Sequence, residues 1–147
     1  MDPLAELLAI EAIRRLKARY FQCVDGKDWA GFAALFTDDA RFDITADVPG
    51  AVLEGPSAIV AAASGGLTGA VSIHHGHCPE IEIQSAGSAR GTWAMEDRIW
   101  WPEGAAVPLV SLHGFGHYHE TYARIGDRWL IRSLVLTRLR VERVARR

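Results

Sequence analysis

The spacing of apolar residues in this chain changes from helical to alternating about halfway along it. Near the start, apolar side chains recur every three or four residues, as on one face of an amphipathic helix; they are Leu4, Leu7, Leu8, Ala12, Ile13, Leu16, Tyr20 and Val24. From Val71 onwards the pattern is typical of long strands joined by short turns. Helices followed by strands favour an α+β fold, in which a sheet packs against the helices.

Local signals set the predicted boundaries. Asp2 can cap the first helix, Pro3 suits its first turn and Gly26 can end it, so we expect a helix at residues 3–25. A short helix, a strand, a loop or hairpin and an Ala-rich helix follow, at 29–35, 41–45, 47–55 and 55–66. Later strands are expected at 71–77, 80–84, 89–101, 109–124 and 128–141. The short turns between these strands predict an antiparallel meander, which curls around the helices as one domain over residues 1–147.

Composition limits the possible partners. The chain has 147 residues, of which 49% are hydrophobic and 23% are charged, as in a single globular domain. Its net charge of −2 favours neither nucleic acid nor an anionic membrane, and no apolar stretch reaches membrane-spanning length. The N-terminus does not resemble a secretory signal and two cysteines are too few for a disulfide framework, so we expect reduced thiols and a cytoplasmic location. A curled sheet leaves a pocket, which makes a small molecule the expected partner.

Asp25 and His74 are the residues best suited to proton transfer. Asp25 lies at the C-terminal end of the first helix, where the helix dipole disfavours a negative charge, so a purpose beyond solvent exposure is indicated. His74 and His75 are neighbours on a strand and therefore point to opposite faces. Ser72 and Gly76 share the face of His74 and leave room for a ligand. A carboxylate can fix the tautomer of an imidazole that exchanges protons near neutral pH, provided that the two side chains meet.

Tyr20 and Asp97 are further candidates, each with a structural alternative. Tyr20 lies on the apolar stripe of the first helix, so core packing and a hydroxyl directed at a pocket are both open. Of the neighbours Glu96 and Asp97, one must face inwards, and the other can pair with an arginine. Arg132 and Arg138 have the same parity on the last strand, and an arginine buried there would need an acid such as Asp97.

Three histidines of one predicted strand share a face, namely His113, His117 and His119. Such a set suggests a metal ion, but residues two apart on a strand lie about 7 Å apart along it. A closed site would need further ligands from neighbouring strands. We therefore expect a reaction that needs no metal or other cofactor, and no metal at stoichiometric level in the protein. His75 and His77 receive no role from the sequence.

The order and spacing of these segments resemble those of a known family. The resemblance spans nearly the whole chain and is carried by residues 10–25, 27–29, 36–40 and 55–56, by the strand with His74, and by residues 126–131. It is to the SnoaL-like branch of the nuclear transport factor 2-like superfamily, within which the sequence is most similar to scytalone dehydratase, bile acid 7α-dehydratase and lindane dehydrochlorinase. The resemblance implies a cone-shaped α+β barrel, with a curved, mostly antiparallel sheet wrapped around the N-terminal helices.

The resemblance also implies roles for four residues. In those enzymes a helix-end aspartate pairs with a strand histidine, which removes a proton so that a leaving group departs. Asp25 and His74 match these two positions, Tyr20 matches a tyrosine that activates the leaving hydroxyl, and Asp97 matches a further acidic position. The expected function is a cofactor-free lyase of the dehydratase type acting on a small hydrophobic, polycyclic or aromatic, substrate. An isomerase or cyclase with the same pocket, or a non-catalytic ligand-binding module, is the alternative.

The pair Trp100 and Trp101 ends a predicted strand, and one of the two is expected to be exposed. Helices cover only one face of the predicted sheet, so apolar residues on the other face would remain in water. Pairing two such faces removes them from water, and we therefore predict a homodimer or a higher homo-oligomer.

Overall fold

A computed structural model describes all 147 residues. Its first helix, α1 (Pro3–Gly26), begins where the Asp2 carboxylate accepts hydrogen bonds from the backbone N–H groups of Leu4 (3.1 Å) and Ala5 (3.3 Å). The helix ends at Lys27, whose φ of 58° is left-handed. The leucines of the first two turns are exposed. The buried residues of α1 are Ala9, Ile13, Leu16, Lys17, Tyr20 and Val24.

Short elements connect α1 to the main sheet. They are α2 (Trp29–Ala33), β1 (Phe36–Asp43), β2 (Val52–Glu54) and α3 (Pro56–Leu67). β1 and β2 pair as an antiparallel hairpin, which resolves the predicted loop or hairpin in favour of the hairpin. α3 packs on α2 and on β1.

Four long strands complete the molecule: β3 (Val71–Ser85), β4 (Ser88–Trp100), β5 (Leu109–Ile125) and β6 (Arg128–Ala145). They form the predicted antiparallel meander. The whole sheet has the order β2-β1-β6-β5-β4-β3, in which β1 and β6 run parallel and all other neighbours run antiparallel. The α+β prediction is confirmed, with an open mixed sheet in place of a closed barrel.

The sheet curls around α1. The helix packs on β3 and on β6, although β4 and β5 separate these two strands in the sheet. Gly76 of β3 allows this close approach, because a Cβ atom there would lie 2.9 Å from the ring of Phe21 and 3.0 Å from that of Trp93. The core therefore lies on the concave face of the sheet, between the strands and the helices.

The first strand begins earlier than the sequence predicts. β1 starts at Phe36 and not at Arg41, because Phe36 already pairs with Ile131 of β6 across an irregular parallel register. The strand ends at Asp43, whose carboxylate accepts hydrogen bonds from the backbone N–H and the hydroxyl of Thr45. Such a local turn takes the chain out of the sheet.

Residues 71–85 form one strand and not the two predicted. The register with β4 shifts between His77 and Glu80, and Cys78 has a left-handed φ of 43°. A bulge of this kind absorbs the Cys78-Pro79 pair without ending the strand, since proline is tolerated at a bulge or on an edge strand. β3 is an edge strand of the sheet.

None of the helices has the length and apolar character needed to cross a membrane.

Candidate active site

Asp25 and His74 meet at the junction of α1 and β3. The Nδ1 atom of His74 lies 2.6 Å from Oδ1 of Asp25, and the backbone N–H of His74 donates to Oδ2 at 2.9 Å. Both carboxylate oxygens therefore hold the same residue, one through its ring and one through its backbone. No other protein group is hydrogen-bonded to Nε2 of His74. A carboxylate bonded to Nδ1 leaves Nε2 as the position that can accept a proton.

Further contacts fix the Asp25 carboxylate. The hydroxyl of Ser72 donates to Oδ1 at 3.1 Å, and that hydroxyl in turn accepts from Nζ of Lys27 at 2.6 Å. Burial alone would raise the pKa of Asp25, but the hydrogen bonds from the His74 ring and backbone, the charge on that ring and the Ser72 hydroxyl outweigh it and lower the pKa. Asp25 is thus held as a carboxylate against the histidine.

The dyad borders an apolar cavity of about 370 Å³ enclosed by the concave face of the sheet and the helices. Of the 24 residues that line it, 19 are hydrophobic, so a ligand inside would be largely removed from water. His74 and Asp97 belong to the lining, as do Tyr20 and Tyr118. This volume lies towards the lower end of the range for small-molecule sites.

Tyr20 and Tyr118 place two phenols in the cavity wall. Their ring centroids are 6.2 Å apart, and no hydrogen bond joins either hydroxyl to another protein group. Burial, followed by the charge of Glu120 and of Asp97, raises the pKa of Tyr20 above its usual value. Burial likewise raises the pKa of Tyr118. Both side chains therefore remain neutral phenols that can donate a hydrogen bond to a ligand.

Asp97 is held by Arg138, which lies behind the cavity lining. Nη1 and Nη2 of Arg138 donate to the two oxygens of Asp97 at 2.8 and 2.9 Å. Nε and Nη2 of the same guanidinium donate to Asp47 at 2.9 and 2.8 Å, so two carboxylates share one arginine. Burial by itself would lower the pKa of Arg138, but its hydrogen bonds to Asp47 and Asp97 and the negative charges of these residues raise it. The guanidinium therefore stays charged while its side chain is 9% exposed.

A glycine makes room for this ion pair. A Cβ atom on Gly114 would lie 2.3 Å from Nη1 of Arg138 and 2.5 Å from Oδ1 of Asp97. Gly114 pairs with Asp97 across β4 and β5, so its missing side chain leaves the space that the arginine occupies.

Arg132 and Arg138, which have the same parity on the last strand, point to opposite faces of the sheet. Arg138 is the inward one, whereas Arg132 is exposed and lies 3.2 Å from Asp39. The register between β5 and β6 shifts at Arg132. Thr121 pairs with Ser133 but Tyr122 pairs with Ile131, so Arg132 has no partner on β5. A bulge reverses the alternation, so the sequence expectation that both could face inwards is wrong for Arg132.

Glu96 and Asp97 point to opposite faces of the sheet, as expected, but Glu96 pairs with a histidine and not with an arginine. Asp97 faces the cavity, and Glu96 lies on the outer face of the sheet. Its carboxylate accepts a hydrogen bond from His113 at 2.6 Å and has no arginine partner. His113, His117 and His119 alternate with buried residues on the side of the sheet away from the cavity. They therefore lie apart from the dyad.

Sequence reasoning did not find Tyr118 or Asp47. Tyr118 lies on the inward face of β5, and the alternation of that strand indicates its direction, opposite to that of the three histidines. Asp47 lies between β1 and β2, and its pairing with Arg138 joins residues that are far apart in the sequence. No local pattern predicts such a contact.

Comparison with known proteins places this chain within a family. The model of the SnoaL-like domain matches residues 5–135, which is most of the chain. The chain belongs to the SnoaL-like family. The resemblance noted in the sequence, to the SnoaL-like branch of the nuclear transport factor 2-like superfamily, is thereby confirmed.

Several solved structures share the SnoaL-like fold of this chain. A protein from Novosphingobium aromaticivorans that carries the name of scytalone dehydratase is 19% identical, with 97% of this chain and 92% of that chain covered and a TM-score of 0.83. A type 2 hexachlorocyclohexane dehydrochlorinase (LinA) is 22% identical, with 98% and 94% covered and a TM-score of 0.82. The protein Aln2 from a Streptomyces species is 27% identical, with 94% and 93% covered and a TM-score of 0.71. The cone-like α+β architecture expected from the resemblance is confirmed.

Proposed function

We propose that this SnoaL-like protein is a cofactor-free lyase of the dehydratase type, acting on a small hydrophobic, polycyclic or aromatic, molecule. The observation that carries the proposal is the position of the Asp25–His74 pair at the wall of an apolar cavity. Two of the structural neighbours, a scytalone dehydratase by name and a hexachlorocyclohexane dehydrochlorinase, are named for eliminations, which supports the same class of reaction.

His74 acts as the general base in this proposal. Its Nε2 removes a proton from a substrate carbon, and the electrons of that C–H bond form the new double bond. Asp25 keeps the ring in the tautomer with the proton on Nδ1 and stabilises the imidazolium that forms. The two hydrogen bonds to Asp25 fix the ring before the substrate arrives, so that no reorientation is needed during the reaction.

Tyr20 assists the departing oxygen. As the C–O bond breaks, its phenol donates a hydrogen bond to the leaving hydroxyl, which becomes water once it receives the proton taken up by His74. Asp97 lines the same cavity, and its two hydrogen bonds from Arg138 fix its carboxylate there. General acid–base assistance of this kind contributes about 10²–10⁴ in rate.

Two other functions remain as alternatives. An isomerase or cyclase would use the same proton transfers but return the proton to another atom with no loss of water. A non-catalytic ligand-binding module would use the cavity alone. The lining position of His74 and the lack of a protein partner at Nε2 favour a reaction over simple binding, because Nε2 is left free to meet a ligand in the cavity.

The test begins with a thermal-shift screen of hydroxylated polycyclic and aromatic compounds, followed by mass spectrometry of each hit after incubation with the protein. The proposal predicts a product lighter by about 18 Da, the mass of one water. A product that loses no water but incorporates deuterium from heavy water would identify an isomerase or cyclase. Ligands that bind and emerge unchanged in mass and isotope content would contradict the proposal.

Variants assign the reaction to the site. His74→Ala should lower kcat about 10²–10⁴-fold, whereas His119→Ala, on the outer face of the sheet, should retain the wild-type rate. Turnover should also be the same before and after exhaustive chelation, since Asp25 rather than a metal ion orients the histidine. Full activity in His74→Ala would remove the mechanism.

A further inference from the structure

The outer face of the sheet carries a second group of histidines. His75 and His77 alternate along β3 with His74 and Gly76, so they point away from the cavity, and both are exposed. β4 brings Glu96 beside them, because Glu96 pairs directly with His75 in the register of the two strands. Three potential metal ligands from two strands thus meet on the face opposite the dyad.

The distances within this group are those of an open chelate. One ligand atom from each of His75, His77 and Glu96 lies within 4.8 Å of the other two. Ligand atoms around a tetrahedral zinc ion are about 3.3 Å apart, given metal–ligand distances of about 2.0–2.2 Å. The remaining gap is small for two exposed imidazoles, which can turn about their side-chain torsions without disturbing the core.

His113 of β5 supplies an outer partner for the carboxylate. Its Nε2 lies 2.6 Å from Oε1 of Glu96, which leaves the second carboxylate oxygen available. Metal-binding carboxylates and histidines are commonly oriented by a hydrogen bond of this kind from a residue that does not itself bind the ion. The side chains of Glu96 and His113 are 33% and 25% exposed, so solvent reaches the pair.

We propose that His75, His77 and Glu96 bind one zinc-type divalent transition-metal ion on the outer face of the sheet, with His113 orienting the carboxylate. Two imidazoles and one carboxylate are ligands that suit zinc, and water completes the coordination. The ion ties the edge strand β3 to β4. It plays no part in the proposed lyase reaction, because His74 points to the opposite face.

The proposed site on β3 and β4 differs from the metal site that was considered from the sequence. The earlier candidate joined His113, His117 and His119, which lie along one strand. In the structure His117 and His119 lie beyond the cluster, and His119 instead approaches the hydroxyl of Thr137 at 3.0 Å. The proposed ion departs from the expectation that the protein holds no stoichiometric metal, which was argued from His113, His117 and His119 and gave no role to His75 and His77.

The test is a zinc titration of chelator-stripped protein by isothermal titration calorimetry, with cobalt as a spectroscopic substitute. We expect one zinc ion per chain, and cobalt absorption bands of nitrogen and oxygen coordination. His77→Ala and Glu96→Gln should each weaken zinc binding at least about tenfold, since loss of a mere orienting partner already weakens binding about 10–100-fold. His119→Ala, a histidine of the same face outside the cluster, should bind zinc like the wild type.

Two further measurements make each outcome decisive. At zinc concentrations well above the dissociation constant, the melting temperature of wild-type protein should rise by about 5 °C and that of His77→Ala should not. His74→Ala should bind zinc normally, whereas loss of zinc binding in that variant would assign the ion to the cavity and overturn the proposal. Equal zinc affinity of wild type and His77→Ala, with circular dichroism showing both folded, would also overturn it, as would the absence of stoichiometric binding.

Discussion

Asp25 is the residue on which the proposed proton transfer depends most directly. In Asp25→Asn the amide can donate a hydrogen bond to Nδ1 of His74, which forces the ring proton onto Nε2 and removes the base. A comparable change in serine proteases lowers kcat about 10⁴-fold. We therefore expect kcat of Asp25→Asn to fall by at least about 10²-fold with little change in KM, as measured by steady-state kinetics. A fall in substrate affinity with unchanged kcat would instead indicate a binding role.

Tyr20 can be tested separately from its packing. Its hydroxyl has no partner in the protein, so Tyr20→Phe should leave the melting temperature almost unchanged while kcat falls about 10²–10⁴-fold. Tyr122→Phe provides the contrast. The Tyr122 hydroxyl donates to Glu120 at 2.5 Å and accepts from Trp93 at 2.9 Å, and removing it should cost about 1–3 kcal/mol of stability. Equal effects of the two changes on kcat would assign Tyr20 to packing.

For single residues, the sequence predicted which side chains belong to the candidate site better than it predicted their contacts. The pairing of Asp25 with His74 was expected, and the structure places the two within hydrogen-bond distance. Arg132 and Arg138 could not be distinguished, because a single bulge reverses strand parity and no pattern in the sequence announces it. Asp47 was missed because its position depends on how the β1–β2 connection folds over the cavity.

The link between α1 and β5 is a buried ion pair. Nζ of Lys17 contacts Oε1 of Glu120, both side chains are fully buried, and Nζ lies 3.7 Å from the ring centroid of Tyr20. Burial lowers the pKa of Lys17, and the charge of Glu120 opposes that effect. The pair therefore supports the cavity wall without lining it.

Breaking that pair should destabilise the molecule strongly. Lys17→Met removes the cation and leaves Glu120 buried without it, which costs about 3–5 kcal/mol by chemical denaturation. Adding Glu120→Gln removes the stranded charge but keeps an acceptor for Tyr122, so the double variant should be more stable than Lys17→Met alone. A double variant less stable than the single one would show that Glu120 is not destabilised by the loss of Lys17.

The junction of α1 and β3 should make stability depend on pH. Asp25 has a lower pKa in the folded protein than in the unfolded chain, because the hydrogen bonds and charge of His74 outweigh the effect of burial. Its contribution is therefore present above the unfolded pKa of about 3.9 and is lost as the pH falls through the folded pKa. We expect the melting temperature to fall over this acidic range more steeply for the wild type than for Asp25→Asn. Parallel curves would show that Asp25 is not stabilised by folding.

Helices and meander strands were predictable from the sequence to different degrees. α1 and the β4–β6 strands follow local periodicity, which acts over a few residues. The parallel pairing of β1 with β6 joins Phe36 to Ile131, and the continuity of β3 through Cys78 depends on its neighbour β4. Both are set by contacts between segments distant in sequence, which a local pattern does not contain.

The two faces of the sheet differ in how far the rest of the molecule covers them. The concave face is covered by the helices, whereas no element of the chain covers the outer face. Apolar residues remain exposed there: Val71 at 62%, Ile73 at 40% and Trp100 at 39%. Trp100 is the exposed member of the tryptophan pair, since Trp101 is partly buried and donates to the carbonyl of Gly66 at 2.8 Å.

These residues form one patch, because Val71 pairs with Trp100 across β3 and β4 and Ile73 lies beside them on the same face. Burial of such a patch against a second copy of the chain removes apolar surface from water at about 25 cal/mol per Å². We expect a homodimer, with a mass by light scattering of twice the chain mass of 16.1 kDa. Trp100→Glu should shift the mass towards the monomer without changing the circular dichroism spectrum. Measured in chelator, so that bridging by zinc plays no part, a monomer mass independent of concentration would contradict the dimer.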